Sequence, residues 1–401
     1  MHVNIARTAA RAAAAGAMAT LALGSAQAAM AGPAPANVNV PCSATVLASD
    51  ITGAVSGQTL FLAKFCVYEL HAALPAISVD LTVQGNESTV ERSYNSSTPD
   101  FSVFTVTSGA DFVLNNVYVR NGDSVGGGMS PPADNSGNGG AIYNENGTVT
   151  VNGGKFTGNT ASAFGGAIFS RSGELTVHGA VFTGNQADAG GAIATQRDDP
   201  SAVTGSSFSG NSAVEDGGAI YVEDSMAVLH CNFTKNTAGN SGGGIYVDNG
   251  SPTVTESGFY QNQAEFGGGI YNDSEVTATG TTFRGGQAEY GGGVYNDDVA
   301  TMNNATFAYN TAESDGGGFY NEDSAEVNGS SFTANTAEFG GGFYNEDVAT
   351  IDGSHIFRNT ATDDGGGIFD DNDDVTLTNS LVIENHPDNC APSGVVSGCI
   401  G

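Results

Sequence analysis

The stretch GGGVYNDDVATMNNATFAYN (residues 291–310) decides the fold, because its parts recur along most of the chain. A Gly-Gly-(Ala/Gly)-apolar block occurs ten times. Its apolar residue is Ile142, Ile168, Ile193, Ile220, Ile245, Ile270, Val294, Phe319, Phe343 and Ile368, in steps of 24 to 27 residues. A Phe-x-x-Asn block follows each one, starting at Phe156, Phe182, Phe208, Phe233, Phe259, Phe283, Phe307, Phe332, Ile356 and Val382. Its Asn column (Asn159, Asn185, Asn211, Asn236, Asn262, Asn310, Asn335, Asn359, Asn385) is broken only by Gly286. Five residues before the Phe lies a third apolar column, from Val151 and Val177 to Ile351 and Leu377.

Three apolar columns per repeat mean three short strands per coil. The repeats are too short for a βαβ unit and carry no helical stripe. Local alternation has period two, as in Thr148-Val149-Thr150-Val151. Stacked coils pair each strand with its equivalent about 4.8 Å away, so ten repeats make a rod of order 50 Å. The fold class is all-β, a right-handed parallel β-helix. Asn in a turn bonds backbone groups and its stacked equivalents, so the Asn column reads as a ladder.

Residues 1–31 read as a secretory signal peptide: basic Arg7 and Arg11, an apolar Ala-rich run to Leu23, then small-x-small patterns ending at Ala28 or Ala31. Residues 32–41 read as a linker, 42–122 as an N-terminal cap with the first irregular coils, 123–138 as an exposed loop, 139–386 as the ten repeats and 387–401 as a tail. Within the cap, Ala48-Ser49-Asp50-Ile51 reads as a polar turn. No stretch is apolar enough to span a membrane, so a secreted, extracellular product is expected. Exported cysteines suggest disulfides, and near-neighbour pairing of Cys42 with Cys66 and of Cys390 with Cys399 would staple both ends. Cys231 is left as a core thiol.

The GGAI and FxxN pair resembles the repeat of the polymorphic outer-membrane protein family. The mature chain as a whole resembles secreted actinobacterial β-helix proteins, through Pro41-Cys42-Ser43, Cys66-Val67-Tyr68-Glu69-Leu70 and the tail Pro387-Asp388-Asn389-Cys390 to Cys399. The resemblance implies a pectin-lyase-like fold and, from the outer-membrane relatives, an adhesin-like role. The same fold hosts polysaccharide lyases and hydrolases, but a fold does not carry chemistry with it.

The formal charge of −32 excludes nucleic acid as a partner. Arg171 and Arg197 each lie 11 residues before their Phe and are expected to stack on successive coils, as charge compensation or as an anion patch. The Asp-pair, Gly-His-Gly and Arg-x-Lys combination of polygalacturonase-like enzymes is absent, which disfavours catalysis. Acidic columns flank the Gly block: Asp297-Asp298, Glu322-Asp323, Glu346-Asp347 and Asp371 after it, Glu265, Glu289, Glu313 and Glu338 before it. Carboxylates about 5 Å apart repel by about 1–3 kcal/mol per pair, which invites Ca²⁺; a solvated acidic face is the plain alternative. Tyr246, Tyr271, Tyr295, Tyr320 and Tyr344 follow the inward apolar residue and should point outward, either to stack on ligand rings or to pack on one another. The favoured reading is a non-catalytic secreted protein that binds a glycan or a surface protein, with no obligatory cofactor. A polysaccharide-active enzyme and a calcium-stabilised rod are the alternatives.

Overall fold

The computed structural model describes residues 35–107, 109–125, 137–197, 200–394 and 396–399. The expected signal peptide and residues 126–136 of the expected loop lie outside them.

Apolar residues repeating at coil length can all be buried only if coils stack in register, and the pairing shows this. Ile168 pairs with Ile193, Ile220 with Ile245, Ile270 with Val294, and Phe319 with Phe343. Phe182 pairs with Phe208 and Val177 with Val203. The result is a right-handed parallel β-helix of about 14 turns. The Phe column forms a continuous inner stack, with ring centroids 4.8 Å apart from Phe182 to Phe208 and 4.5 Å from Phe307 to Phe332. These rings are fully buried.

Each coil visits three faces. The Gly-block strands, such as Ile168–Arg171, form a 12-stranded sheet. The Val-column and Phe-column strands, such as Leu175–His178 and Val181–Thr183, share one 25-stranded sheet. They are two halves of a long face, bent at one left-handed residue, here Gly179 with φ 62°. The third face carries two-residue strands such as Gln186–Ala187.

Two kinds of corner explain which glycines vary. Following the Phe strand, the left-handed residue is Gly184 in one coil but Lys235, Gln261 or Tyr309 in others. A Cβ at Gly184 meets nothing within 4 Å, so only the backbone cost of positive φ opposes a side chain. The first residue of the Gly block is also left-handed but never varies from Gly165 to Gly365. There a Cβ would sit 2.1 Å from the Ile168 carbonyl oxygen at Gly165 and 2.2 Å from that of Ile270 at Gly267.

The Asn column forms a buried ladder. The Nδ2 of Asn159 donates to Asn185 Oδ1 at 2.9 Å, Asn185 to Asn211 at 2.9 Å, and Asn211 to Asn236 at 2.9 Å. The backbone N–H of each also donates to the next Oδ1. A second ladder lies inside the Gly-block face, through Asn272, Asn296, Asn321 and Asn345 to Asp370. Its signal was the Asn before each acidic pair.

The N-terminal end differs from the sequence reading in two places. Val38–Val40, expected within a linker, is a strand that pairs with Leu60, Phe61 and Leu62, and Val40 is buried in the core. Residues around Ala48–Ile51 are not a polar turn but part of a helix, α1 (Ala44–Thr52). Ser43 caps it by accepting from the Val46 N–H, and Leu47 and Ile51, four apart, face the core. Apolar spacing of four thus outweighs the polar Ser49-Asp50. Asp123 and Ser124, expected to open a loop, pair with Thr160 and Ala161 on the short face. Disulfides join Cys42 to Cys66 and Cys390 to Cys399. In the tail, Cys390 and Ala391 add a last strand against Ile368 and Phe369. Cys231 is a buried free thiol; burial pushes its pKa up to about 11, which leaves it unreactive.

Candidate functional site

Alternation along the Gly-block strands turns Ile inward and the next residue outward, so the Tyr column lies on the outer surface of that sheet. In register, Tyr221, Tyr246, Tyr271, Tyr295, Tyr320, Tyr344 and Phe369 form one row. Their rings stack on one another: 5.3 Å from Tyr246 to Tyr271, 5.1 Å to Tyr295, 4.6 Å to Tyr320 and 4.8 Å to Tyr344. A second set of rings from the preceding corner meets the row edge-on, Phe266 against Tyr295 at 5.5 Å and Tyr290 against Tyr320 at 5.8 Å. Tyr295 and Tyr320 are consequently buried, at 8% and 5% exposure. The ring faces are occupied by neighbouring rings, so the row meets its surroundings through hydroxyls and edges.

Those hydroxyls reach the acidic column one coil further on. Tyr221 donates to Asp248 at 2.6 Å, Tyr271 to Asp297 at 3.1 Å and Tyr295 to Glu322 at 2.6 Å. Tyr246 reaches Asp273 at 3.5 Å, and Tyr320 donates to Glu346. Two columns that looked independent in sequence are therefore one stripe. The link was invisible because the partners lie 26 or 27 residues apart and on different coils. Burial, then the adjacent carboxylates, hold the phenols of Tyr271, Tyr295 and Tyr320 well above the usual range. They remain donors at any physiological pH.

Like charges crowd along the stripe. The Asp273 carboxyl is pushed up to about 6, first by burial and then by Asp297. Asp323 is raised by burial and by Asp298 and Asp347 on neighbouring coils. Asp216 and Asp315 rise mainly through burial. A carboxyl with a raised folded-state value binds more protons folded than unfolded between about pH 4 and pH 6, so stability falls as pH rises through that window. Asp273 is only partly shielded and keeps an exposed side, so solvent screening holds its share well below the ~1.4 kcal/mol per unit of a buried group. We expect the melting temperature to be about 2–5 °C higher at about pH 5 than at about pH 7.5. The difference should shrink in high salt; an equal or higher melting temperature at the upper pH would refute the crowding argument.

The carboxylates considered for calcium, Asp297, Asp298, Glu322, Asp323, Glu346, Asp347 and Asp371, are spread along the rod. Among the described residues no group of three His, Cys, Asp or Glu side chains is placed to hold a metal ion. Tyrosine hydroxyls occupy one side of Asp297, Glu322 and Glu346. The arginines are not stacked as counting from the Phe suggested. In the strand register Arg171 lies opposite Glu145 on one side and Gln196 on the other, while Arg197 lies one residue further on, at φ 69° in the turn. The reason is that Ile193 and Ile220 are 27 residues apart, and the longer coil shifts the alignment between the Gly block and the Phe.

Residues 190–342 match the right-handed β-helix region family, and residues 155–171 match the Chlamydia polymorphic membrane protein repeat. No curated protein and no solved structure matches the chain. The chain is a β-helix repeat protein resembling polymorphic membrane proteins. No helix among the described residues is long and apolar enough to cross a membrane.

Proposed function

We propose that this protein is a non-catalytic, surface-associated interaction rod, adhesin-like in use, whose tyrosine-bound carboxylate stripe engages a basic protein surface. The support is the repetition of the stripe. Catalysis needs one convergent constellation of unlike groups. This stripe instead offers the same Tyr-to-carboxylate unit on successive coils, from Tyr271 and Asp297 to Tyr320 and Glu346. Equivalent groups at a fixed spacing suit a multivalent contact, in which weak units add through effective concentration. Hydroxyl edges and carboxylates, with ring faces already covered, favour a cationic partner over a sugar ring.

The test is binding of the protein to poly-lysine and to a panel of extracellular proteins and glycans. Replacing Asp297→Asn, Glu322→Gln and Glu346→Gln together should weaken binding to the basic partners about tenfold or more, a change of about 1.4 kcal/mol. Raised salt should have the same direction of effect. Unchanged binding by the triple variant would sink the proposal. So would release of reducing ends or unsaturated sugars from a polysaccharide panel, which would instead favour an enzyme.

A further inference from the structure

The acidic stripe follows the Gly-block sheet; the first coils of the other, long face carry a groove of about 540 Å³. That lies within the roughly 300–1,000 Å³ typical of small-ligand clefts. Its lining includes Lys64, Gln84, Asn86, Asn116, Tyr118 and Lys155.

The groove exists because the repeat is broken there. The strands Leu81–Arg92 and Asp111–Arg120 pair with Gln84 opposite Asn115 and Ser88 opposite Val117, so Gly85, Asn86 and Glu87 together face Asn116 alone. Asn86, Glu87 and Asn116 all take left-handed backbone, at φ 63°, 60° and 49°. On the next coil Gly153 and Gly154 follow, both left-handed, and supply a floor without side chains. The bulge forms one wall.

The chemistry of the lining is unlike the rest of the rod. In a chain with 43 acidic and 11 basic residues, two lysines meet here. Among the described residues neither forms an ion pair. The Lys155 ammonium lies 5.0 Å from the Tyr118 ring centre, and the Lys64 ammonium lies 4.5 Å from that of Phe65. Phe65 is 63% exposed, at φ 57°. Glu87 is the carboxylate on the lining. Side-chain amides form a short row across three coils, Asn152 donating to Asn115 and Asn115 to Gln84. The tyrosine-bound carboxylates begin at Asp248, four coils on. That is roughly 19 Å at about 4.8 Å per coil, and a Debye length is about 8 Å in physiological salt.

We propose that this groove binds an anionic oligosaccharide. Lys64 and Lys155 take its charged groups, Gln84, Asn86 and Asn116 bond its hydroxyls, and Tyr118 offers apolar surface to its rings. The site is independent of the acidic stripe and needs no catalytic step.

The experiment is calorimetric titration of the protein with four probes: a carboxylated oligouronide, a sulfated glycosaminoglycan oligosaccharide, a neutral cello-oligosaccharide, and inorganic phosphate. One or both charged saccharides should bind, and which one does identifies the anionic group. Lys64→Ala and Lys155→Ala should each weaken binding about fivefold and together at least twentyfold. Both side chains are exposed, so circular dichroism should show an unchanged fold. Lys235→Ala, outside the groove, should bind as the parent does. The proposal is overturned if neither charged saccharide binds, if the neutral one binds equally, if phosphate alone binds as tightly, or if the double variant is unaffected. The Asp297, Glu322 and Glu346 triple variant should retain this binding, which separates the two sites.

Discussion

Gly267→Ala is expected to unwind the coils around it. Its φ of 66° alone would cost an alanine about 1–2 kcal/mol. The larger effect is steric: the new Cβ would sit 2.2 Å from the Ile270 carbonyl oxygen and 2.9 Å from the Tyr271 nitrogen. Both neighbours are backbone atoms already committed to the sheet, since Ile270 and Tyr271 pair with Ile245 and Tyr246 on one side and with Val294 and Tyr295 on the other. Neither can yield without breaking pairing on both sides, so the total loss should be about 4 kcal/mol or more. Gly184→Ala is the control: φ is 62° and nothing lies within 4 Å, so about 1 kcal/mol is expected. Because a solenoid unfolds by neighbouring repeats, amide hydrogen exchange across residues 242–290 reads the effect better than a single global transition. Equal losses in the two variants would show that backbone conformation alone, without the close approach, governs the Gly block.

The second large effect should come from the middle of the Asn ladder. In Asn211→Leu, the Asn185 N–H and Nδ2 lose their shared acceptor, and the Phe182 carbonyl loses a donor. All of these groups are inside the rod, and each buried group left unpaired costs about 1–3 kcal/mol, giving about 4 kcal/mol together. Asn211→Asp separates hydrogen bonding from shape. The carboxylate keeps the acceptor for Asn185 but faces the Asn236 Oδ1 and Phe182 oxygen, which need donors. Asn211→Asp should therefore be at least as unstable as Asn211→Leu at neutral pH and should recover in acid, where the protonated carboxyl donates. Denaturant titrations of both variants at neutral and acidic pH provide the check. A Leu variant within about 1 kcal/mol of the parent would mean that the ladder adds little to stability. The natural break at Gly286 is no such evidence, because a Cβ there would lie 2.2 Å from the Gly292 oxygen and no Asn fits.

The repeat was legible because burial acts on every coil in the same way. Ile168, Phe182 and Val177 each sit at a spacing that only a stacked coil explains, and the Asn column named its own ladder. The second ladder, Asn272 to Asp370, was written in the sequence but masked by the acidic residues beside it. Helix α1 is hard to read in sequence because a nine-residue helix carries few apolar positions, here chiefly Leu47 and Ile51.

By itself the sequence determined the coil: its length, its inward columns, its cysteine-closed ends and the glycines at its corners. These follow from local alternation and from contacts repeated at one spacing. What stands next to what on the outer surface was decided only by the tertiary structure. A hydroxyl on one coil and a carboxylate on the next become partners through register, as Tyr295 and Glu322 do, and coil length varies by a residue or two, which moved Arg197 away from Arg171. The groove beside Lys155 depends on the same physics. A three-residue bulge at Gly85–Glu87 is unremarkable in sequence, and it opens a cleft only because neighbouring coils hold their pairing on both sides of it.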